Sequence, residues 1–283
     1  MILWTFWMSI IIMRASTKGF IYVASSQKIY YEFAIESAQS LKDFYPESNV
    51  TLFTHDAWVD DRACQLFDKI STGIPVNPRA KMWCMARTPY DQTFYNDVDS
   101  FIVHKDIKTV FDSLKENDIF MCENVWHVTG SHLWSFIDLK QNIPVEWMGA
   151  TCWYNKNEVT LDFMQTWFDE YIQQVHEPWP YSEWASDRWQ QFDMFTLWKI
   201  TSGQFSKFKR FNNFIKKGDK RFNTTMLDGS DYFKLSSKPP VNIQISRQLY
   251  QTFPNYATLL KRVDDERNLP PQPKIEKNSL WYN

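Results

Sequence analysis

Apolar segments alternate with helical patterns through the first half of the chain, and this alternation restricts the fold more than any other feature. Strands are predicted at Gly19–Ser26, Asn49–Asp56, Thr93–Asp97 and Asp118–Asn124. After the first strand, Ala34, Ala38 and Leu41 recur at helical spacing until Pro46. Strands that alternate with helices predict a mostly parallel sheet covered on both faces. In such sheets ligands bind beyond the carboxyl ends of the strands.

The second half continues the pattern less regularly. A strand is predicted at Val145–Asn155, followed by a helix at Glu158–Gln173 with Asn157 as its N-cap. Further helices are predicted at Arg79–Thr88, Ile107–Leu114 and Trp189–Ile200. The tail from Asn268 carries three prolines and is expected to be extended and irregular.

Composition excludes several classes of protein. The chain has 283 residues, and 44% of them are hydrophobic, so it can bury a full core and is not disordered. A formal net charge of -2 does not call for a nucleic acid or an anionic membrane as partner. Only 7 glycines occur, which weighs against glycine-rich phosphate loops. The 4 cysteines form no C-x-x-C pair and favour a reducing, cytoplasmic compartment.

The N-terminal run MILWTFWMSIIIM is apolar but shorter than the roughly 20 residues that span a bilayer. Its first basic residue, Arg14, follows the run, unlike the charge pattern of a secretory signal. Three interpretations remain: a weak membrane anchor, a poor signal peptide, or an extension upstream of a start at Met13. We favour the last. Under the first, the protein would associate with a membrane through this segment.

Asp97 and Asp99 form the single D-x-D in the chain and end the third predicted strand. Carboxylates at i and i+2 of an extended segment share a side, so both can face one hard divalent cation. Such an ion takes its remaining ligands from water and substrate phosphates. The alternative is two solvated turn residues without a metal.

Two longer runs resemble nucleotide-diphospho-sugar transferases of the GT-A fold. They are GFIYVASSQKIYYEFAIESAQSLKDFYPESNVTLFTHD and KMWCMARTPYDQTFYNDVDSFIVHKDIKTVFDSLKENDIFMCEN. The later segments GATCWYNKNEVTLDFMQTWFDEY and WQQFDMFTLWKI are similar to that family more loosely. The resemblance implies an α/β fold with a GT-A-like, Rossmann-type mixed sheet flanked by helices. We expect a single domain at 18–265, an apolar extension at 1–17 and a proline-rich tail at 266–283.

The resemblance also implies roles for individual residues. Asp97 and Asp99 would hold Mn²⁺ or Mg²⁺ and the diphosphate of a UDP- or GDP-sugar, and Ala24 and Ser25 would lie beside the nucleoside. Lys81 falls where the family carries a basic residue near the nucleotide, although a solvated helix lysine is the alternative. Asp193 would touch the donor sugar or the acceptor, although a helix-surface acid is the alternative.

The chain departs from the family pattern at two places. Met194 follows Asp193 where glutamine is common, and no histidine follows His176 to serve as third metal ligand. Either Asp228, Asp231 or water replaces that histidine, or the metal binds weakly. In the segment EPWPYSEWASDRW, three tryptophans could form a platform for an acceptor sugar, and Asp187 or Glu183 could deprotonate its hydroxyl.

The segment 206–222 interleaves lysines and arginines with phenylalanines. Such a pattern can bind single-stranded nucleic acid, but we favour a solvated basic face over buried phenylalanines and expect no nucleic-acid partner. The leading hypothesis is a metal-dependent transferase that moves a sugar to a hydroxyl of a glycan, lipid or protein. The alternatives are an inactive GT-A domain that binds carbohydrate or serves as a scaffold, and a nucleic-acid-binding module.

Overall fold

The computed structural model describes residues 17–115, 118–123, 147–176, 193–203, 205–222, 224–227 and 241–245. Ten strands run through these residues. They are β1 (Lys18–Val23), β2 (Val50–Phe53), β3 (Lys69–Ser71), β4 (Gln92–Asn96), β5 (Ser100–Ile102), β6 (Ile119–Glu123), β7 (Trp147–Asn155), β8 (Ile215–Lys217), β9 (Thr224–Leu227) and β10 (Asn242–Ile245).

A seven-stranded sheet has the order β3-β2-β1-β4-β7-β6-β8. The strands β1 to β4 are parallel, whereas β7 runs antiparallel to both of its neighbours, β4 and β6. The sheet is therefore mixed, as the resemblance implied. Because β7 is reversed, its amino end lies at the same edge as the carboxyl ends of β1 and β4.

Five α-helices accompany the sheet among the described residues. They are α1 (Lys28–Phe44), α2 (Asp61–Leu66), α3 (Lys81–Met85), α4 (Glu158–His176) and α5 (Asp193–Thr201). The predicted N-cap of α4 is confirmed, because Thr160 donates its backbone N–H to Asn157 Oδ1 at 2.9 Å. Helix α1 ends before Pro46, which cannot donate to a helical carbonyl.

Side chains of successive strand residues enter two cores on opposite faces of the large sheet. In β1, Phe20 and Tyr22 join the core that packs against α1, hereafter the α1-side core. Ile21 and Val23 join the core that packs against α3, α4 and α5, hereafter the α4-side core. This alternation is the period of a strand buried on both faces, and it confirms the predicted covering of the sheet by helices.

A second sheet of three strands has the order β5-β10-β9 and was not predicted. Strand β5 pairs antiparallel with β10, and β10 pairs parallel with β9. Since β5 begins three residues after Asp97, this sheet adjoins the predicted metal-binding segment.

Two predicted helices differ in form from the prediction. The helical stripe at Ile107–Leu114 lies in a 3₁₀ helix at Lys105–Ser113, and the predicted helix at Arg79–Thr88 is helical only over α3. The four residues 189–192, where the last predicted helix was expected to begin, lie outside the described residues.

In the basic segment, Phe208 and Phe211 are buried in the α4-side core, whereas Lys207, Lys209 and Arg210 are exposed. This agrees with the favoured interpretation of a solvated basic face. Across the described ranges, no helix has the length and apolarity that a bilayer crossing requires. The proposed end segments are largely outside the described residues, so the domain boundaries remain predictions.

Candidate functional site

The predicted site residues are distributed around one edge of the large sheet. Ala24 and Ser25 follow β1, Asp97 follows β4, and Gly149 lies near the start of the reversed strand β7. The backbone N–H of Asp97 donates to Ala150 O at 2.9 Å and joins two of these segments. The site therefore lies where parallel sheets of this type bind ligands.

Asp97 and Asp99 belong to a tight turn, not to the extended segment that the sequence predicted. The N–H of Ser100 donates to Asp97 O at 3.0 Å, which closes a turn over residues 97–100. Between the acids, Val98 is buried in the α1-side core. Both carboxylates remain partly exposed. The apolar middle residue thus anchors the turn while the acids stay at the surface.

Tyr95 contacts the first acid of the turn. Its hydroxyl donates to Asp97 Oδ1. Burial, then the charge of Asp97 and to a smaller extent the charges of Asp193 and Asp99, raise the pKa of Tyr95 well above its usual value. The Tyr95 hydroxyl therefore lies against the carboxylate of Asp97, and a metal shared by Asp97 and Asp99 stays a prediction.

Lys81 is a buried cation that connects three segments of the site. Its Nζ donates to Gly149 O at 2.9 Å and lies 3.0 Å from Asp193 Oδ2 and 3.7 Å from Asp97 Oδ1. Burial favours the neutral amine, but the charges of Asp193 and Asp97 raise the pKa of Lys81 above its usual value. A side chain that is 7% exposed is not the solvated helix lysine of the alternative interpretation.

Asp193 begins α5 and is only 3% exposed, so it is not a helix-surface acid. Arg79 Nε lies 3.1 Å from its Oδ1, and the indole of Trp167 donates to its backbone carbonyl at 2.8 Å. Burial opposes ionisation of Asp193, but Lys81 and Arg79 outweigh it and lower the pKa below its usual value. Asp193 is therefore a carboxylate held between two cations.

Arg79 is a site residue that the sequence did not single out. Asn77 caps its backbone, because Asn77 Oδ1 accepts from Arg79 N at 2.7 Å. The side chain is 30% exposed, and its interaction with Asp193 through Nε is the only ion pair it makes within the described ranges. The available signal was a second cation two residues before Lys81.

Ser25 supports the loop that leads to Arg79. Its hydroxyl donates to Pro75 O at 2.8 Å and accepts from Asn77 N at 3.3 Å. Ala24 is fully buried in the α1-side core, and Ser26 has a φ of 65°. The structure therefore places Ala24 and Ser25 at the site edge, while their contact with a nucleoside stays a prediction.

The two acids of the turn fit a divalent cation as a partial ligand set. They supply hard oxygen donors that remain partly exposed, so water and phosphate can complete the coordination. No group of three His, Cys, Asp or Glu that could hold a metal occurs among the described residues. Asp187, Glu183, Asp228, Asp231 and the tryptophans at 179, 184 and 189 lie outside them, as does the side chain of Met194.

No family model matches the chain, and no curated protein matches it. Solved structures with a similar fold include glycosyltransferases. The galactosyltransferase LgtC, in complex with donor and acceptor sugar analogues, superposes with a TM-score of 0.55 at 11% identity, over 90% of this chain and 98% of that one. The glycosyltransferase GlyE of Streptococcus pneumoniae TIGR4 gives 0.55 at 13% identity, over 91% of this chain and 66% of that one. The chain therefore has the GT-A-like fold that the resemblance implied.

Proposed function

We propose that this chain is a metal-dependent glycosyltransferase that moves a sugar from a nucleotide diphosphate to a hydroxyl group. The carrying observation is the arrangement of Lys81, Arg79 and the turn acids Asp97 and Asp99 around one edge of a GT-A-like sheet. A bound Mn²⁺ or Mg²⁺ would neutralise charge on the departing diphosphate. Asp97 and Asp99 are the residues that would hold it.

The two cations have complementary tasks in this proposal. Lys81 is fixed by Gly149 O and Asp193, so its positive charge stays near Asp97 without requiring reorganisation. Arg79 is anchored through Nε, which leaves the terminal nitrogens of a partly exposed guanidinium for phosphate oxygens. Asp193 is buried and pairs with both cations, so it would orient them, while its predicted contact with the donor sugar or the acceptor stays a prediction.

Ser25 extends the same site toward the nucleoside. Its hydroxyl fixes residues 75–77, which lead directly to Arg79. The nucleoside and the diphosphate of a UDP- or GDP-sugar would then bind to neighbouring parts of one connected segment. LgtC, which has the same fold, binds donor and acceptor sugar analogues, and this supports a sugar-nucleotide donor and a glycan acceptor for this chain.

The basic segment gives little support to the nucleic-acid alternative. Lys207 pairs with Glu170, Arg210 lies 3.0 Å from Asp162, and Lys216 pairs with Asp118. Cations that are already paired with carboxylates add less to binding of a polyanion than unpaired ones.

Replacing the carboxylates of the two turn acids with amides tests the proposed function. Asp97→Asn and Asp99→Asn should each abolish release of UDP or GDP from a panel of nucleotide sugars with Mn²⁺ present. Asp99→Asn should keep the wild-type unfolding midpoint to within a few degrees, whereas Asp97→Asn, which removes a carboxylate 3.7 Å from the buried Lys81 Nζ, should still fold but unfold at a lower midpoint. Asp112→Asn, at an exposed acid of the 3₁₀ helix, is the matched control and should retain full turnover.

A second measurement separates the enzyme from an inactive carbohydrate-binding domain. UDP or GDP should raise the unfolding midpoint of the wild type only with Mn²⁺, since a ligand stabilises the state that binds it. Turnover that persists in either turn variant would disprove the proposed site. Nucleotide binding without any turnover by the wild type would favour the inactive domain.

A further inference from the structure

A buried polar residue forms a hydrogen bond across the turn at residues 97–100, hereafter the acidic turn. Asn96 ends β4, immediately before Asp97, and it is fully buried. Its side-chain Nδ2 donates to the backbone carbonyl of Ser100 at 2.7 Å. This bond spans the turn from the residue before it to its last residue, parallel to the backbone bond from Ser100 N to Asp97 O.

Helix α1 binds the same carbonyl from the other side. The hydroxyl of Ser37 donates to Ser100 O and lies 3.3 Å from Asn96 Nδ2. Ser37 is itself fully buried, and its own carbonyl accepts from Tyr22 at 3.4 Å. One backbone oxygen at the end of the turn therefore accepts two side-chain hydrogen bonds, from a strand and from a helix.

The presence of an asparagine at the buried position 96 needs a physical explanation. The neighbouring residues Phe94 and Val98 lie in the α1-side core, where an aliphatic side chain would avoid the cost of burying an amide. The amide is tolerated because its bonds to Ser100 and Ser37 replace those with water. The side chains of Asn96 and Ser37 therefore fix the geometry of the turn and do not contribute to apolar packing.

We infer that Asn96 and Ser37 are positioning residues for the metal-binding acids Asp97 and Asp99. The inference rests on the proposed function. With Asn96 and Ser37 on Ser100 O, Val98 in the core and Asp97 N on Ala150 O, the turn is fixed at both ends and in its middle. Because the turn is already ordered, the two carboxylates can bind a cation without the entropic cost of ordering the backbone.

Binding of Mn²⁺ alone, and of Mn²⁺ with UDP or GDP, tests this inference without relying on activity. Titrations followed by electron paramagnetic resonance give the Mn²⁺ dissociation constant. Asn96→Leu, which keeps the branching of the side chain and removes the amide, should weaken Mn²⁺ binding by about tenfold, the usual effect of removing a supporting hydrogen bond. Ser37→Ala, which leaves the bond from Asn96 to Ser100, should weaken it by a smaller factor.

Ser40→Ala is the matched control. Ser40 is equally buried on the same helix. Its hydroxyl donates to the backbone carbonyl of Ser37 at 2.6 Å and accepts from the N–H of Ile102 in β5 at 2.9 Å, so these bonds go to the helix backbone and to β5 and not to residues 97–100. Its removal should lower the unfolding midpoint about as much as Ser37→Ala and leave Mn²⁺ binding at the wild-type value. Should Asn96→Leu fail to fold, the comparison of the two serine variants still decides the question.

Three outcomes would overturn the inference. Folded Asn96→Leu and Ser37→Ala proteins that bind Mn²⁺ like the wild type would show that the network does not act on the acids. Equal weakening by Ser37→Ala and Ser40→Ala would show a general loss of stability. A wild type that binds no Mn²⁺ even with nucleotide would also remove the proposed function, whereas the first two outcomes leave that function intact.

Discussion

At the scale of single residues, the buried ammonium group of Lys81 holds several segments of the site together. Its ammonium group touches a carbonyl of β7 and two carboxylates that come from different elements. Removing one partner from such a buried set is costly, because the remaining charges lose their compensation. The geometry of the site therefore depends on all of these groups at once.

Gly149 lies where this cluster leaves little room for an additional atom. A Cβ at this position would lie 3.1 Å from Asp193 Oδ2 and 3.2 Å from the Trp167 ring. We expect Gly149→Ala to lower the free energy of unfolding by about 1–3 kcal/mol, as measured in urea, because these neighbours must move. It should also lower turnover, since Lys81 and Asp193 move with them.

Gly73→Ala is the appropriate comparison. Gly73 has a φ of +78° but nothing within 4 Å of an added Cβ, so its replacement strains only the backbone and costs about 1 kcal/mol. Turnover should be unchanged. Wild-type turnover in Gly149→Ala would contradict the close packing of this cluster.

The residues of the site differ in how far the sequence predicted them. Asp97 and Asp99 were found because a D-x-D after a strand is a local pattern. Arg79 was missed and the burial of Lys81 was left open, because both depend on Asp193, which is more than a hundred residues away. The turn at Asp97 was predicted as extended chain, because its closure depends on tertiary bonds to Ser37 and Ala150.

At the scale of secondary-structure elements, strands buried on both faces were predicted well. Strands β1, β2, β4, β6 and β7 all carry apolar runs and were located within a few residues. The edge strands β3 and β8 have three residues each, two of them polar, and so present no pattern. The sequence of β5 is apolar, but its pairing with a strand 140 residues later is a tertiary property.

Helix α2 depends on one side chain for its start. Asp60 accepts from the N–H groups of Arg62 and Ala63 at 3.1 and 3.3 Å, and from the Tyr31 hydroxyl at 2.7 Å. We expect Asp60→Ala to lower the free energy of unfolding by about 1 kcal/mol, the usual cost of losing an N-cap. Asp60→Asn keeps a capping oxygen and should lose less at neutral pH.

The same carboxylate gives the helix a predictable response to acid. The Arg62 guanidinium lowers the pKa of Asp60 to about 2, below its usual value near 3.9. Its charge therefore stabilises the fold at pH values above about 4, and this contribution is lost as the pH falls toward 2. Urea unfolding of the wild type and Asp60→Asn should converge over this interval. A difference in stability that does not change with pH would contradict the lowered pKa.

At the scale of the whole molecule, the large sheet joins both cores. Strand β7 places Trp153 in the α1-side core and its neighbours Cys152 and Tyr154 in the α4-side core. Neither core can be exposed without disturbing strands that the other requires. The free energy of unfolding therefore depends on the packing of both faces of the sheet together.

This dependence predicts cooperative unfolding. Far-ultraviolet circular dichroism and tryptophan fluorescence should give the same midpoint in urea, the usual test of a two-state transition. Trp153→Ala, which empties a fully buried position, should lower the free energy of unfolding by about 3–5 kcal/mol and shift both signals together. Two separate transitions would indicate that the faces unfold independently.

The reversed direction of β7 has a consequence for how such a molecule can diversify. Strands β6 and β4 both pair antiparallel with β7, so the connection from β6 to β7 leaves and re-enters the sheet at the edge that carries the acidic turn. Insertions between β6 and β7 therefore enter the chain at this edge of the sheet, and we expect them to leave the register of β4 unchanged.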